Sequence, residues 1–113
     1  QHIQYLNDMK NTDDHFKVLR KVQTKPESSQ RELAADLGFS LGKLNYCLKA
    51  LQKKGFVKLN NFKKKSNKLG HLRYIITPKG ISERTKLTIN FMKRKMKEYE
   101  ELKKELDKGK VEL

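Results

Sequence analysis

The fold is decided by residues 29–54, SQRELAADLGFSLGKLNYCLKALQKK. Their first half predicts a short helix, because Ser29 and Glu32 form a capping-box pattern and apolar residues then share one helical face. Gly38 predicts the end of that helix, since glycine adopts the left-handed conformation at little cost. Ser40 is a good N-cap for a second helix. The turn is so short that the helices must cross steeply, which predicts a helix-turn-helix.

The second helix has one apolar face, formed by residues at helical spacing, and it ends before Gly55. That face comprises Leu41, Leu44, Leu48 and Leu51, with Cys47 beside them. We expect the Cys47 thiol to pack in the core, and a redox switch is the alternative.

The opposite face of the second helix carries residues that suit a nucleic-acid groove. Asparagine can bond adenine bidentately, lysine can reach guanine or phosphate, and tyrosine can bond phosphate or stack. A glycine near the N-terminus would let the backbone approach closely. The candidates on this helix are Ser40, Gly42, Lys43, Asn45, Tyr46 and Lys49. The alternative is an ordinary solvated helix face.

Charge is unevenly distributed along the 113 residues, which carry 27 basic and 13 acidic side chains for a net charge of +14. Residues 1–36 hold six acids and six bases, and residues 83–113 hold seven acids and ten bases. Residues 37–82 hold eleven bases and no acid. Net charge alone indicates only solubility, but this concentration predicts a polyanionic partner.

Several function classes have no support in the sequence. The single cysteine forbids an internal disulfide and suits a reducing cytoplasm, and no apolar run is long enough for a membrane span. The three histidines and the cysteine show no metal-ligand spacing, and we expect no cofactor. Residues 38–42, GFSLG, match the nucleophile-elbow pattern of hydrolases, but a capped helix precedes the serine where a buried strand is needed. We therefore expect no enzyme.

The segments before the helix-turn-helix are less informative. Residues 1–12 are interpreted as a frayed helical turn with Ile3, Leu6 and Met9 facing inward. The alternative, which we favour, is that Met9 is the natural start and residues 1–8 are left from an expression vector. Asp13 or Asp14 is expected to cap the first helix, which ends before Pro26.

After Gly55 the apolar period changes from helical to alternating. Residues 56–59 predict a strand with Val57 and Leu59 on one face, and residues 71–77 predict a return strand whose Leu72, Tyr74 and Ile76 share a face. Residues 60–70, NNFKKKSNKLG, form a basic tip, so the pair resembles a wing. The predicted phosphate-contacting residues of the wing tip and of the supporting helix are Lys63, Lys64, Lys65, Lys68, Gln30 and Arg31.

Thr77 and Pro78 predict the start of a helix of about 30 residues over 78–106, because threonine is a good N-cap and proline suits the first helical position. A heptad trace along it predicts pairing with a second copy, with packing on its own domain as the alternative. The expected interface residues are Thr88, Phe91, Met92, Met96, Tyr99, Leu102 and Leu106. The basic first half of this helix either extends the positive surface or is a solvated face.

Three segments resemble the exopolysaccharide-associated branch of the MarR winged-helix transcriptional regulators: SQRELAADLGFSLGKLNYCLKAL, KKGFVKLNNFKKKSNK and TPKGISERTKLTINFMKRKMKEYEELKKEL. The resemblance implies a bacterial homodimer that binds a pseudo-palindromic operator. It implies that residues 40–54 are the recognition helix and residues 60–70 the wing.

The expected protein is mostly α-helical with a small β-wing. Residues 1–12 form an N-terminal extension, 13–77 a winged helix-turn-helix DNA-binding domain, and 78–113 a long C-terminal dimerisation helix. We expect a cytoplasmic, homodimeric regulator that binds double-stranded DNA and makes no membrane contact, and a small-molecule effector is left unassigned. The resemblance points to exopolysaccharide genes. The main alternative is a protein-interaction module that does not bind DNA, and RNA binding is a lesser one.

Overall fold

The computed structural model describes residues 2–62 and 71–109, with side chains described for residues 11–60 and 72–109. Over these residues the chain forms four helices and one antiparallel hairpin. In chain order they are α1 (His2–Thr24), α2 (Gln30–Leu37), α3 (Leu41–Lys53), β1 (Val57–Phe62), β2 (His71–Ile76) and α4 (Pro78–Gly109). This order confirms the predicted winged helix-turn-helix with a long C-terminal helix.

The predicted caps of α2 and α3 are confirmed. Ser29 accepts a hydrogen bond from the Glu32 amide at 3.1 Å, and Ser40 accepts one from the Lys43 amide at 3.1 Å. Gly38 has φ 69° and ψ 27°, the left-handed conformation that ends α2. The Phe39 amide donates to the Ala34 carbonyl at 2.9 Å, so the chain turns back over the helix end before α3 begins.

The predicted start of α1 is wrong. The helix begins at His2 and passes through Asp13 and Asp14 without interruption. The physical reason is that both carboxylates are engaged elsewhere: Asp13 binds Arg94 of α4 at 2.7 Å, and Asp14 binds Lys43 of α3 at 3.3 Å. The inward orientation expected of Ile3, Leu6 and Met9 concerns side chains outside the described ones.

The hairpin register pairs Val57 with Ile76 and Leu59 with Tyr74. Residues 60–62, which the sequence assigned to the wing tip, belong to β1. Val57 and Tyr74 are buried, whereas Leu59 and Leu72 are 41% and 61% exposed, so the expected apolar face covers only the base of the wing. The base of the wing therefore packs against the core.

One core joins α1, α2, α3 and the hairpin. Its most buried side chains are Val18, Leu19, Val22, Leu33, Ala34, Leu44, Cys47, Leu48, Leu51, Val57 and Tyr74. Leu41, which we expected on the same apolar face, is 47% exposed because it is the first residue of α3 and lies at the edge of the core. Cys47 packs in the core as predicted.

Gly80 fixes where α4 leaves the wing, and the sequence reasoning did not single it out. Thr77 caps α4 by accepting a hydrogen bond from the Gly80 amide at 3.0 Å, and its own hydroxyl donates to the Gly55 carbonyl at 2.6 Å. Gly80 is buried directly against the Phe56 carbonyl, where a Cβ atom would overlap the oxygen. The absent side chain therefore permits close contact between α4 and the start of β1.

Candidate nucleic-acid interface

The outer face of α3 presents a small group of exposed polar side chains. Tyr46 is 69% exposed, and Lys49 is exposed one helical turn from Asn45. A Cβ atom at Gly42 would meet no heavy atom within 4 Å, so the backbone of the first turn is open to an incoming surface. Ser40 uses its oxygen as the cap acceptor, which leaves its O–H free to donate.

Lys43 is held differently from its neighbours, since its ammonium lies against the protein rather than projecting from it. Its Nζ is 3.3 Å from the Asp14 Oδ2 and 4.1 Å from the centroid of the Phe39 ring. The Asp14 side chain is only 13% exposed, whereas that of Lys43 is 39% exposed. Lys43 is therefore available at the surface but already paired, and Asn45 is half-buried beside it.

The sequence predicted Asp14 only as a possible cap of α1, but its carboxylate pairs with Lys43 at the N-terminal turn of α3. Burial, and secondarily the negative charge of Asp14, raise the pKa of the Cys47 thiol. The thiol is thus held in its neutral form next to an ion pair that links α1 to α3.

The start of α2 places two further predicted residues. Gln30 is the first residue of the helix and is half-buried, and Arg31 is exposed. Both follow the N-cap Ser29, where the helix dipole and unpaired amides favour an anion such as phosphate.

The predicted wing-tip contacts, Lys63, Lys64, Lys65 and Lys68, lie outside the described residues. At the described base of the wing, Lys58 is exposed. Arg73 points back to the domain, since its Nε donates to the Glu27 carbonyl at 3.2 Å and its Nη1 to the Leu72 carbonyl at 3.1 Å. Arg73 therefore ties β2 to the α1–α2 connection.

From Met92 onward, α4 carries a row of exposed apolar side chains with 59 to 65% exposure: Met92, Met96, Tyr99, Leu102 and Leu106. Met92, Met96 and Tyr99 of this row also line an open apolar depression of about 290 Å³. Phe91, also expected at an interface, packs on Phe16 of α1 with ring centroids 5.5 Å apart. Thr88 donates its hydroxyl to the Arg84 carbonyl at 2.8 Å and is half-buried.

Over the described part of the chain, no three His, Cys, Asp or Glu side chains come together as a metal site would require. In residues 2–62 and 71–109, no helix has both the length and the apolar character of a membrane span.

Comparisons with known proteins agree with this geometry. Residues 15–58 match a family model described as winged helix-turn-helix DNA-binding. No curated protein matches the chain significantly by sequence.

Three solved structures share the fold. Staphylococcus aureus MarR in complex with salicylate and kanamycin has a TM-score of 0.61 and 15% identity, over 78% of this chain and 57% of that one. A MarR family transcription regulator has a TM-score of 0.60 and 16% identity, over 97% and 85%. A transcriptional regulator of Thermotoga maritima has a TM-score of 0.52 and 23% identity, over 92% and 75%. This chain thus spans little more than half of the S. aureus protein and has the winged helix-turn-helix fold of MarR structures.

Proposed function

We propose that the protein is a sequence-specific double-stranded DNA-binding transcription regulator of the MarR type. The observation that carries the proposal is the outer face of α3, where Gly42, Tyr46 and Lys49 are open to solvent on a segment free of acidic residues. The matched family model, described as DNA-binding, covers all of α2 and α3. The exposed face of α3 and the absence of acidic residues around it therefore both favour DNA as the partner.

In this proposal α3 enters the major groove with its N-terminal turn leading. Asn45 and Lys49 face base edges, Tyr46 contacts phosphate or a base, and Ser40 donates its O–H to the backbone. Gln30 and Arg31 at the start of α2 bind flanking phosphate. These contacts come from the first turn of α2 and the first three turns of α3.

The lysines Lys63, Lys64, Lys65 and Lys68 are proposed to extend the basic surface onto neighbouring backbone. Their support is the sequence, in which four lysines fall within residues 60–70 without an acid. Phosphate contacts of this kind add affinity without sequence preference.

The protein is proposed to act as a homodimer on a pseudo-palindromic operator. The support is the exposed apolar row on α4, because a contiguous apolar face of this length is unusual on a surface that remains in water. A twofold pair of α4 helices would bury Met92, Met96 and Tyr99 and place the two copies of α3 on the same side. Two half-sites about one helical turn apart, about 34–36 Å, would then be read together.

Finer assignments rest on sequence resemblance. Control of exopolysaccharide genes is proposed from the likeness of residues 29–51 and 77–106 to that branch of regulators. A cytoplasmic location follows from the proposed role and from the single reduced cysteine. The S. aureus MarR structure contains salicylate and kanamycin; no corresponding effector is assigned to this chain.

The alternative of a protein-docking module draws on the same α4 row, which would then bind a different protein. The distinguishing experiment is selection of bound fragments from random-sequence duplex DNA, followed by sizing of the protein with and without the selected duplex. Enrichment of an inverted repeat bound by two chains supports the regulator. A protein that enriches no sequence and ignores duplex DNA supports the docking module.

A further inference from the structure

A strongly basic cavity lies apart from the surface described above, between α1, the end of α2 and the first turns of α4. Its volume is about 180 Å³. The lining residues are Lys17, Arg20, Lys21, Thr24, Leu37 and Arg84. Four of these side chains are cationic, and among the residues that the structure describes no carboxylate lines the cavity.

Three of the cations share one stripe of α1, because Lys17, Arg20 and Lys21 are separated by the three and four residues that bring side chains together on a helix. Like charges at this spacing repel one another. Arg20 lies with its guanidinium carbon 5.4 Å from the centroid of the Phe16 ring, and its carbonyl accepts the Thr24 hydroxyl at 2.9 Å. Among the described residues, the lining itself supplies no acid to relieve the repulsion within the stripe.

Arg84 supplies the second, independent observation. Its Nε is buried and has no hydrogen-bond partner among the described residues. A buried donor without an acceptor is costly, and more so on a charged group. The Asp36 carboxylate is hydrogen-bonded to Lys25 at 2.9 Å, and that bond is the main reason its pKa is lowered, with a smaller contribution from the charge of Lys21.

We propose that this cavity binds a phosphate group. A phosphate oxygen would accept the Arg84 Nε–H, and charge-assisted bonds from Lys17, Arg20 and Lys21 would satisfy the others. Leu37 is the only apolar residue among the described residues that line the cavity. The volume is many times the 10–15 Å³ or so that one water needs, so the cavity has room for an oxyanion.

Two sources carry this chemistry, namely a free phosphate ion or monoester and the backbone of bound DNA. The first test uses the full chain without DNA, so its result does not depend on the proposed regulator function. Sodium phosphate is titrated at fixed ionic strength against sodium chloride, and the ¹H–¹⁵N resonance of Arg84 Nε is followed by NMR. A saturable shift with phosphate and none with chloride supports the free ion.

Three variants test whether phosphate binds in this cavity. Lys21→Gln should weaken phosphate binding by about tenfold, the usual loss for one charge-assisted hydrogen bond. Arg84→Lys keeps the charge but removes the Nε–H, and it should weaken binding comparably. Lys86→Gln removes an equal charge from an exposed position on α4 outside the cavity and should leave binding unchanged.

A second arm tests the backbone source by measuring non-specific duplex affinity against salt concentration. If free phosphate does not bind, but Lys21→Gln flattens the slope of log K against log salt by about 0.9 and Lys86→Gln does not, the bound group is a DNA phosphate. If phosphate does not shift Arg84 and the two variants bind duplex DNA alike, the proposal is overturned.

Discussion

Asp14 of α1 holds Lys43, at the N-terminal turn of α3, through an ion pair of 3.3 Å. The carboxylate is mostly buried, and the ammonium also lies over the Phe39 ring. The pair connects the packing of α1 to the helix proposed to enter the major groove. The pair also engages the Lys43 ammonium, which could otherwise contact a DNA phosphate within its reach.

Asp14→Asn should therefore increase non-specific DNA affinity. Releasing Lys43 adds about one phosphate contact, so the slope of log K against log salt should become more negative by about 0.9. Because the pair is partly exposed, its loss should cost less than about 1 kcal/mol of folding free energy. Fluorescence anisotropy with a random duplex at several salt concentrations measures the slope.

Asp13→Asn is the matched control, since it removes the neighbouring carboxylate, which binds Arg94 at 2.7 Å rather than Lys43. An equal change of slope in both variants would show that net charge, not the release of Lys43, is responsible.

Asn45→Ala should weaken binding to the selected operator by about 1–3 kcal/mol and leave binding to random duplex nearly unchanged. The reason is that an amide contact to a base edge carries sequence information, whereas a lysine contact to phosphate does not. Lys64→Ala is the comparison: its proposed contact is to phosphate, so operator and random duplex should lose affinity alike. Equal losses for both duplexes in Asn45→Ala would contradict base readout by Asn45.

Gly80→Ala should destabilise the fold by about 1–3 kcal/mol, the usual cost of overpacking. The added Cβ would overlap the Phe56 carbonyl oxygen and lie 2.7 Å from the Ile76 Cγ1. Gly42→Ala provides the contrast, because its Cβ would meet nothing within 4 Å. Thermal unfolding by circular dichroism measures both, and equal melting temperatures would show that α4 shifts away from the wing without cost.

Met96→Lys should weaken self-association by at least about tenfold, since it would bury an unpaired charge in the proposed α4 pairing. Asn90→Lys adds the same charge to an exposed position about half a helical turn away from Met92 and should leave association unchanged. Sedimentation equilibrium measures the dissociation constant. Identical constants for the two variants would exclude the Met96 face from the interface.

Lower pH should destabilise the protein through His15. Burial, reinforced by the positive charge of Lys54, lowers the pKa of His15 below its usual value. The unfolded chain therefore binds the proton more readily, so this stability is present above the unfolded pKa and is lost as the pH falls from there toward the folded pKa. Denaturant unfolding of wild type and His15→Gln from pH 7.5 to 5 should give a smaller loss in the variant, and parallel curves would contradict it.

The local features of this fold were predictable because their causes lie within a few residues of one another. Ser29, Gly38 and Ser40 act on the backbone next to them, and Thr77 with Pro78 acts on the first turn of α4. Each of these assignments is confirmed by a hydrogen bond, a backbone angle or a helix boundary. The alternating apolar residues after Gly55 likewise gave the hairpin.

The features missed depend on contacts between distant parts of the chain. Asp13 and Asp14 resemble cap residues in the sequence, but Arg94 and Lys43 engage their carboxylates and α1 continues to His2. The need for Gly80 arises only where α4 meets Phe56. The expected roles of the α3 face and the α4 row stay predictions, because they concern molecules outside the chain.

The central claim is that the acid-free basic segment binds DNA through its phosphates. Its most direct test is the salt dependence of duplex binding by the wild-type protein. With about six phosphate contacts, log K should fall against log salt with a slope near −5. A slope near zero would contradict the account.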